Sequence, residues 1–431
     1  MTATPRAHSI LRDPTFARLW FIQAATQVGG NMALYALTVL VFDSTRSNTA
    51  VGALVVSFVL PQIVLSPFAG VVVDRLDLRW ALVAPNVARA IMTLGLALAG
   101  ADVLVLLALN LGISFTSVIL TPAEGSMIPR VVPREQLETA MGIFNLTLQA
   151  SFAVGFAFLG PLLVTIAGPS AVLGVVTALY LAATFACIGL PSAPPVRDGH
   201  GPDRQAMLRP IHELREGLRV VRHDREVSRP ILHQAAGASV AGVLGVLGPG
   251  LAASVGLEPT QLAVVVMPLG IGVVLGVVGL RRFGGSVPRR QAAQGGLIAL
   301  GLLISSLALA GWLAGALGEI GLPVVPLVVA VALGAGAAYA VVSVSAQTAL
   351  LESMPPDVRG RVFGMLASIV SAASLIPTLV AGPLADRVSA PIVIGVAGLA
   401  VVGLGLWSAL RFGPTGGWRA ARSGPGNSAG P

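Results

Sequence analysis

The sequence predicts an all-α integral membrane protein, and three observations predict it. Only 11% of the 431 residues are charged and 55% are hydrophobic, with a mean hydropathy of +0.85, whereas a soluble domain carries about 25% charged residues. Apolar runs of roughly 20 residues, the length that crosses a ~30 Å hydrocarbon core at about 1.5 Å per residue, recur from one end to the other. The runs are continuous and rich in Gly and Ala, without the alternation of membrane strands, so helices rather than a closed barrel satisfy the backbone.

In chain order the spans fall at 16–42, 50–73, 80–99, 103–122, 139–167 and 171–190, then at 230–253, 260–281, 291–313, 323–349, 359–385 and 389–411. That predicts twelve transmembrane helices. The segment before the first, MTATPRAHSILRDPTFARLW, has no small-residue cleavage site after a short apolar core, so residue 1 is expected to be mature and cytoplasmic. With both termini inside, 24 of the 27 arginines lie on the cytoplasmic side, Arg46 and Arg387 lie outside, and Arg89 sits within the third span. Asp43, Asp102, Glu258 and Glu319 fall in short outer loops.

There is no lysine, and the Arg/Ala/Gly/Pro bias suggests a GC-rich bacterial genome, so the expected location is the bacterial inner membrane. The arginines cluster in loops beside the spans, where topology accounts for the net charge of +8, and no nucleic-acid partner is expected. The lone Cys187 and the histidines His8, His200, His212, His223 and His233 fit no disulfide or zinc-ligand pattern. Gly270-Ile-Gly272, Gly245 with Gly248, and Gly334-Ala-Gly336 read as helix-packing glycines, since no strand precedes them and no phosphate-binding lysine follows. No cofactor or metal is expected. Without a nucleotide-binding sequence, the energy source is an ion gradient such as that of protons, the substrate's own gradient, or another chain.

The division expected is a six-helix half at 1–190, a cytoplasmic linker at 191–229, a second six-helix half at 230–411 and a disordered tail at 412–431. In the linker, Ile211, Leu214, Leu218 and Val221 share one face, either of a basic amphipathic helix at the inner headgroups or of a plain solvated connection. The two halves carry matching landmarks. Pro133 and Pro355, and Gly160-Pro161 and Gly382-Pro383, are each 222 residues apart, and Gly142 and Gly364 keep that register. A looser echo relates GVVVDRL at 70–76 to GVVGLRR at 276–282, where Leu280 stands in place of Asp74. Such internal repeats recur in secondary transporters.

The stretch Gly70-Val-Val-Val-Asp74-Arg75-Leu-Asp77-Leu78-Arg79 between spans 2 and 3 resembles the inner-loop signature of the major facilitator superfamily, in particular its twelve-span drug and siderophore exporters of the enterobactin-exporter type. Thr121-Pro122-Ala123, Ile128-Pro129 and Arg359-Gly360-Arg361-Val362-Phe363 are similar to the same group. The resemblance implies two pseudo-symmetric six-helix bundles that rock about a central cavity, a monomer, and export of a hydrophobic or amphipathic small molecule, drug-like or siderophore-like, as a proton antiporter among the possible modes, with solute uptake or facilitated diffusion by the same fold as the alternative. It places an inner gate at Gly70, Asp74, Arg75 and Arg79, and helix bending at Gly155 and Gly160-Pro161, with Gly382-Pro383 as counterpart. This chain departs from the pattern at Asp77 and Leu78, where glycine and arginine are usual, and lacks paired glycines after Pro161-Leu-Leu.

Polar residues inside apolar spans are the remaining signal. Gln23, Gln27 and Asn31 are spaced four apart and share a helix face with Thr26, so that face turns inward, either as a substrate surface or as interhelical glue. Asn145 and Gln149 repeat the spacing in span 5, while Asn110 and Gln347 are single amides, and all are candidate cavity residues. Arg89, with Asn86 one turn before it, is expected to hold an anionic group, or to pair with a carboxylate or backbone carbonyls. Related exporters often carry an acid at the position of Asn86 and in the first span, where this chain has amides that exchange no proton near neutral pH. Glu124, at the inner end of span 4, is therefore the candidate proton site.

Overall fold

A computed structural model describes residues 10–195, 225–283, 288–314, 324–352 and 356–412. Among the described residues the only regular structure is helical. Asp13 caps α1 (Pro14–Thr45) by accepting from the Thr15 and Phe16 amides at 2.8 and 2.9 Å, which satisfies donors that the first turn leaves free. Arg46, in the left-handed conformation at φ 51°, ends it, and Ser47 immediately caps α2 (Asn48–Val73). Asp77 caps α3 (Leu78–Leu98) and Asp102 caps α4 (Val103–Val131). The first group closes with α5 (Leu137–Phe152), a π-helical segment (Ala153–Leu159), α6 (Gly160–Ala167) and α7 (Pro169–Ile188).

The second group comprises α8 (Arg225–Ser254), α9 (Ala263–Phe283) after a short 3-10 turn, α10 (Arg289–Trp312), α11 (Val324–Glu352), α12 (Pro356–Arg387) and α13 (Ala390–Phe412). Among the described residues, eleven segments are long and apolar enough to cross a membrane. The eleventh expected span, 359–385, corresponds to α12, which is not one of the eleven. The expected linker helix at Ile211 to Val221 and the tail beyond 412 lie outside the described residues.

Two boundaries differ from expectation in ways that matter for the site. The fourth helix does not stop near residue 122 but runs on through Pro122 and Pro129 to Val131, so Glu124 is inside a helix rather than at its end. In the fifth rod the Gly160 amide donates to the Gly155 carbonyl, five residues back. Pro161 has no N–H to continue an α ladder, and the chain absorbs the missing bond as a π segment.

The two groups pack by the same scheme. In the first, α2 lies on α4 and α3 lies on α4 and α7; in the second, α9 lies on α11 and α10 lies on α11 and α13. Gly272 and Gly336 let the α9 and α11 backbones touch, since a Cβ on either would fall on the other's main chain. One apolar core joins residues of both groups, including Val51 and Leu54 of α2 with Val246 and Leu247 of α8. A second core, around Phe16, Leu82, Met127 and Phe144, draws on the first group alone.

Candidate functional site

The described contacts between the groups gather at one end, the end away from the 196–224 connection. There Asp386, at the close of α12, receives the start of α2: Ser47 Oγ donates at 2.6 Å, the Asn48 amide at 2.8 Å, Asn48 Nδ2 at 3.0 Å and the Thr49 amide at 2.9 Å. A carboxylate at a helix N-terminus meets free amides and the positive end of the helix dipole. Desolvation raises the Asp386 pKa, but the hydrogen bonds from Ser47, Thr49 and Asn48 outweigh it and hold the carboxyl well below the usual range. Gly382 and Gly250 make room for Asn48, because a Cβ at Gly382 would meet the Asn48 carbonyl at 2.6 Å. On the other flank the contact is apolar, with a Cβ at Gly270 of α9 falling against Ala157 of the π segment. Farther along α2, Leu60, Ile63 and Val64 are exposed. The halves are thus sealed at this far end.

Below the seal, α1 and α5 form a wall. The Trp20 indole donates to Thr147 Oγ1 at 2.8 Å, Gln23 Nε2 donates to the Phe144 carbonyl at 3.2 Å, and a Cβ at Gly155 would strike Asn31 Cβ at 2.8 Å. These contacts fix the azimuth of α5. The exposed residues of α5 and the π segment include two stripes at helical spacing: Leu146, Ala150, Val154 and Phe158, all apolar, and Met141, Asn145, Gln149 and Phe152, which carries the amides, with exposed Leu148 on the same side. The second stripe lies beside half-buried Gln27 and Asn31 of α1 and below Ala157, so it faces the space between the halves.

Not every amide read from the sequence reaches that space. Gln23 and Thr26 are 5% and 2% exposed and lie within the packing of α1, Thr26 donating to the Gln23 carbonyl at 3.1 Å. Asn110 is 4% exposed and binds Ser57 Oγ at 2.8 Å and the Leu54 carbonyl at 3.3 Å. Gln23 and Asn110, expected on the cavity wall, join helices instead, because an amide in a dry interior lowers its energy most by reaching a neighbouring carbonyl, and Thr26, expected there too, turns its hydroxyl back onto its own helix. In the second half, half-buried Gln347 donates to Ser343 Oγ at 3.4 Å, and Gln234, which sequence reasoning missed, reaches the same hydroxyl at 3.3 Å.

Arg89 is 7% exposed and meets neither a ligand-like gap nor a carboxylate within 4.0 Å among the described residues. Its Nη2 donates to Tyr180 Oη at 2.8 Å and to the Thr26 carbonyl at 3.5 Å, and its guanidinium lies 4.2 Å from the Tyr180 ring centroid. Of the partners expected, the backbone carbonyl is present; Tyr180 was not foreseen. Glu124 is 5% exposed in the same part of the first group, and its Oε1, Asn86 Oδ1 and Arg89 Nε have no hydrogen-bond partner among the described residues. Asn86 Nδ2 donates to the Leu82 carbonyl at 2.9 Å and contacts Cys187 Sγ at 3.7 Å.

At the linker end Asp74 and Arg75 are exposed, Arg79 is half-buried, and a Cβ at Gly70 would meet nothing within 4 Å. The acid that is engaged is Asp77, which caps α3 and accepts from Ser192 Oγ, while the Leu78 amide donates to the Ala193 carbonyl at 3.0 Å. Desolvation pushes the Asp77 pKa up, but the hydrogen bonds its carboxylate accepts from the Ser192 hydroxyl and from the Arg79, Ala193 and Trp80 amides outweigh it and leave it lowered. Gly160 and Pro161 are buried beside Tyr35 at the end of the π segment, whereas Pro383 is exposed within an uninterrupted α12.

The sequence profile of the Major Facilitator Superfamily matches residues 19–377. The chain belongs to the major facilitator superfamily. The multidrug efflux pump Tap of Mycolicibacterium fortuitum is 25% identical over 410 residues, covering 90% of this chain and 91% of that one. Among solved structures, a mutant of the nucleoside transporter NupG matches with a TM-score of 0.67 at 15% identity, over 92% of this chain and 98% of that chain. A bacterial homologue of the human lysosomal transporter Spinster, in an inward-facing and unoccupied conformation, matches with a TM-score of 0.62 at 15% identity, over 95% of each chain. These structures show the superfamily fold.

Proposed function

We propose that this superfamily member is a secondary transporter of the efflux type, which moves hydrophobic or amphipathic small molecules, drug-like or siderophore-like, out across the bacterial inner membrane by alternating access. The observation that carries the reading is the seal at the far end above a wall of amides, with the Asp386 clamp and the Gly270–Ala157 contact joining the halves there. With the termini and linker in the cytoplasm, a seal at the far end fits an inward-open state, ready to load from inside. Exposed Asp74 and Arg75 fit an inner gate that engages only when that face closes. The full-length similarity to an efflux pump supports the direction.

In this reading Gln27, Asn31, Asn145, Gln149 and Gln347 offer hydrogen bonds to cargo on an apolar wall. Glu124 carries the exchanged proton, with Arg89 nearby as the fixed charge that its ionisation answers. The transporter works as a monomer, without cofactor or nucleic acid.

A second reading is uptake or facilitated diffusion, favoured by the amides that stand in the first span where a carboxylate would serve antiport. Whole-cell accumulation separates the two. Bacteria lacking their own exporters and expressing this chain are expected to hold several-fold less of a fluorescent amphipath than vector controls. Accumulation above the control would reverse the assigned direction.

A further inference from the structure

The widest departure from simple amide lining lies at the top of the wall. Phe152 is 52% exposed although it stands mid-helix, on the stripe that carries Asn145 and Gln149. Its ring stacks on that of Phe156 at 5.1 Å between centroids and 10° between planes. Phe156 in turn meets Tyr35 edge-on at 5.6 Å and 83°, and Tyr35 is fully buried. The three rings therefore form a rigid series whose last member presents a free, flat face.

We propose that Phe152, braced by Phe156 and Tyr35, is the platform on which a planar aromatic group of the transported molecule stacks, with Gln149 and Asn31 supplying hydrogen bonds at its edge. This deepens, and rests on, the reading of the α1–α5 wall as the transport site. The wholly apolar stripe of α5, Leu146 and Ala150, which we assign to the lipid, lies about a third of a turn or more away from Phe152, and Ala157, one residue past Phe156, meets α9 of the other half. Phe152 thus points under the seal rather than into the bilayer.

Two further observations favour a flat, uncharged group. A pair of parallel rings extends best by a third ring in offset stacking, and the buried Tyr35 brace removes most of the ordering cost that a mobile Phe would add. Helix α1 has no carboxylate between Asp13 and Asp43, and α5 has none after Glu138, so these helices offer a cation no ion pair. The amide of Gln149, three residues before Phe152, lies one turn toward the linker end and suits a carbonyl or amino substituent on the ring.

The test is equilibrium binding by calorimetry to the full chain in lipid nanodiscs, with a 2-naphthyl carboxamide and its fully saturated decahydronaphthyl analogue as probes. The wild type is expected to prefer the naphthyl probe. Phe152→Leu, which keeps an apolar side chain but removes the ring, should weaken that probe about three- to tenfold and the saturated one less than twofold. Phe152→Trp should restore the preference, and Leu146→Ala, on the lipid stripe, should leave it unchanged.

Equal affinity of the wild type for both probes, no binding of either, or an equal loss of both in Phe152→Leu, would overturn the platform. Binding needs neither a gradient nor a direction, so the two readings fail separately. Ring-dependent binding without accumulation in inside-out vesicles would overturn export alone. Accumulation with Phe152→Leu binding like wild type would overturn the platform alone.

Discussion

At the scale of the residue, burying Arg89 is tolerable because its charge is spread over a tyrosine ring, a hydroxyl and a main-chain carbonyl. Tyr180→Phe keeps the ring and removes the hydroxyl, so it isolates the hydrogen bond. It should destabilise the protein by about 1–3 kcal/mol, read as a lower denaturation midpoint in detergent, while Thr177→Val on the same helix should change it less. Arg89 and the amides were legible in the sequence because a polar side chain in an apolar run must turn inward. Tyr180 was not, since it lies 91 residues away and an aromatic in a span looks like ordinary packing. The same limit hid Gln234, Asp386 and the Phe152 stack, and it led Gln23, Thr26 and Asn110 to be read as cavity residues when Gln23 and Asn110 bind neighbouring helices and Thr26 binds its own.

At the scale of the element, apolar run length placed most spans to within a few residues, because a ~30 Å core fixes the minimum helix that crosses it, whereas α4 runs nine residues past its expected end, because a minimum length sets no maximum. Gly160-Pro161 was legible as a bend, but its form was not. The missing proline N–H could have been absorbed as a kink, and the structure shows that it appears as seven residues of π-helix. A π segment turns less per residue than an α-helix, so it sets where Phe156 and Ala157 point. Pro161→Ala restores the donor and allows the α ladder to close. Export is expected to fall several-fold while the melting temperature holds or rises, a pairing that separates a lost orientation from a damaged fold. An equal loss of both would assign the segment to stability.

At the scale of the molecule, the seal is asymmetric, with a charged clamp between α2 and α12 on one flank and apolar contact between the π segment and α9 on the other. The clamp should hold the far end closed. Val246 is fully buried where α8 meets Gly52 of α2, so Val246→Cys reports on that closure, and native Cys187 is itself buried. A membrane-impermeant thiol reagent applied from the far side should label Val246→Cys slowly, and several-fold faster once Asp386→Ala is added. The Asp386 pKa is lowered in the folded protein, so its contribution is complete above the ordinary carboxylate pKa and is lost only as pH falls through the lowered value. The ratio of the labelling rate with Asp386→Ala to that without it, in which the pH-dependent thiolate fraction cancels, should therefore not change between about pH 8 and pH 5.

The most direct test of export coupled to protons is accumulation of a fluorescent amphipath in inside-out vesicles, with and without an imposed inward-acidic gradient, for wild type and Glu124→Gln. The account predicts accumulation by the wild type that requires the gradient, and its loss in Glu124→Gln. Accumulation indifferent to both the gradient and the substitution would contradict proton-coupled export and leave a facilitated carrier.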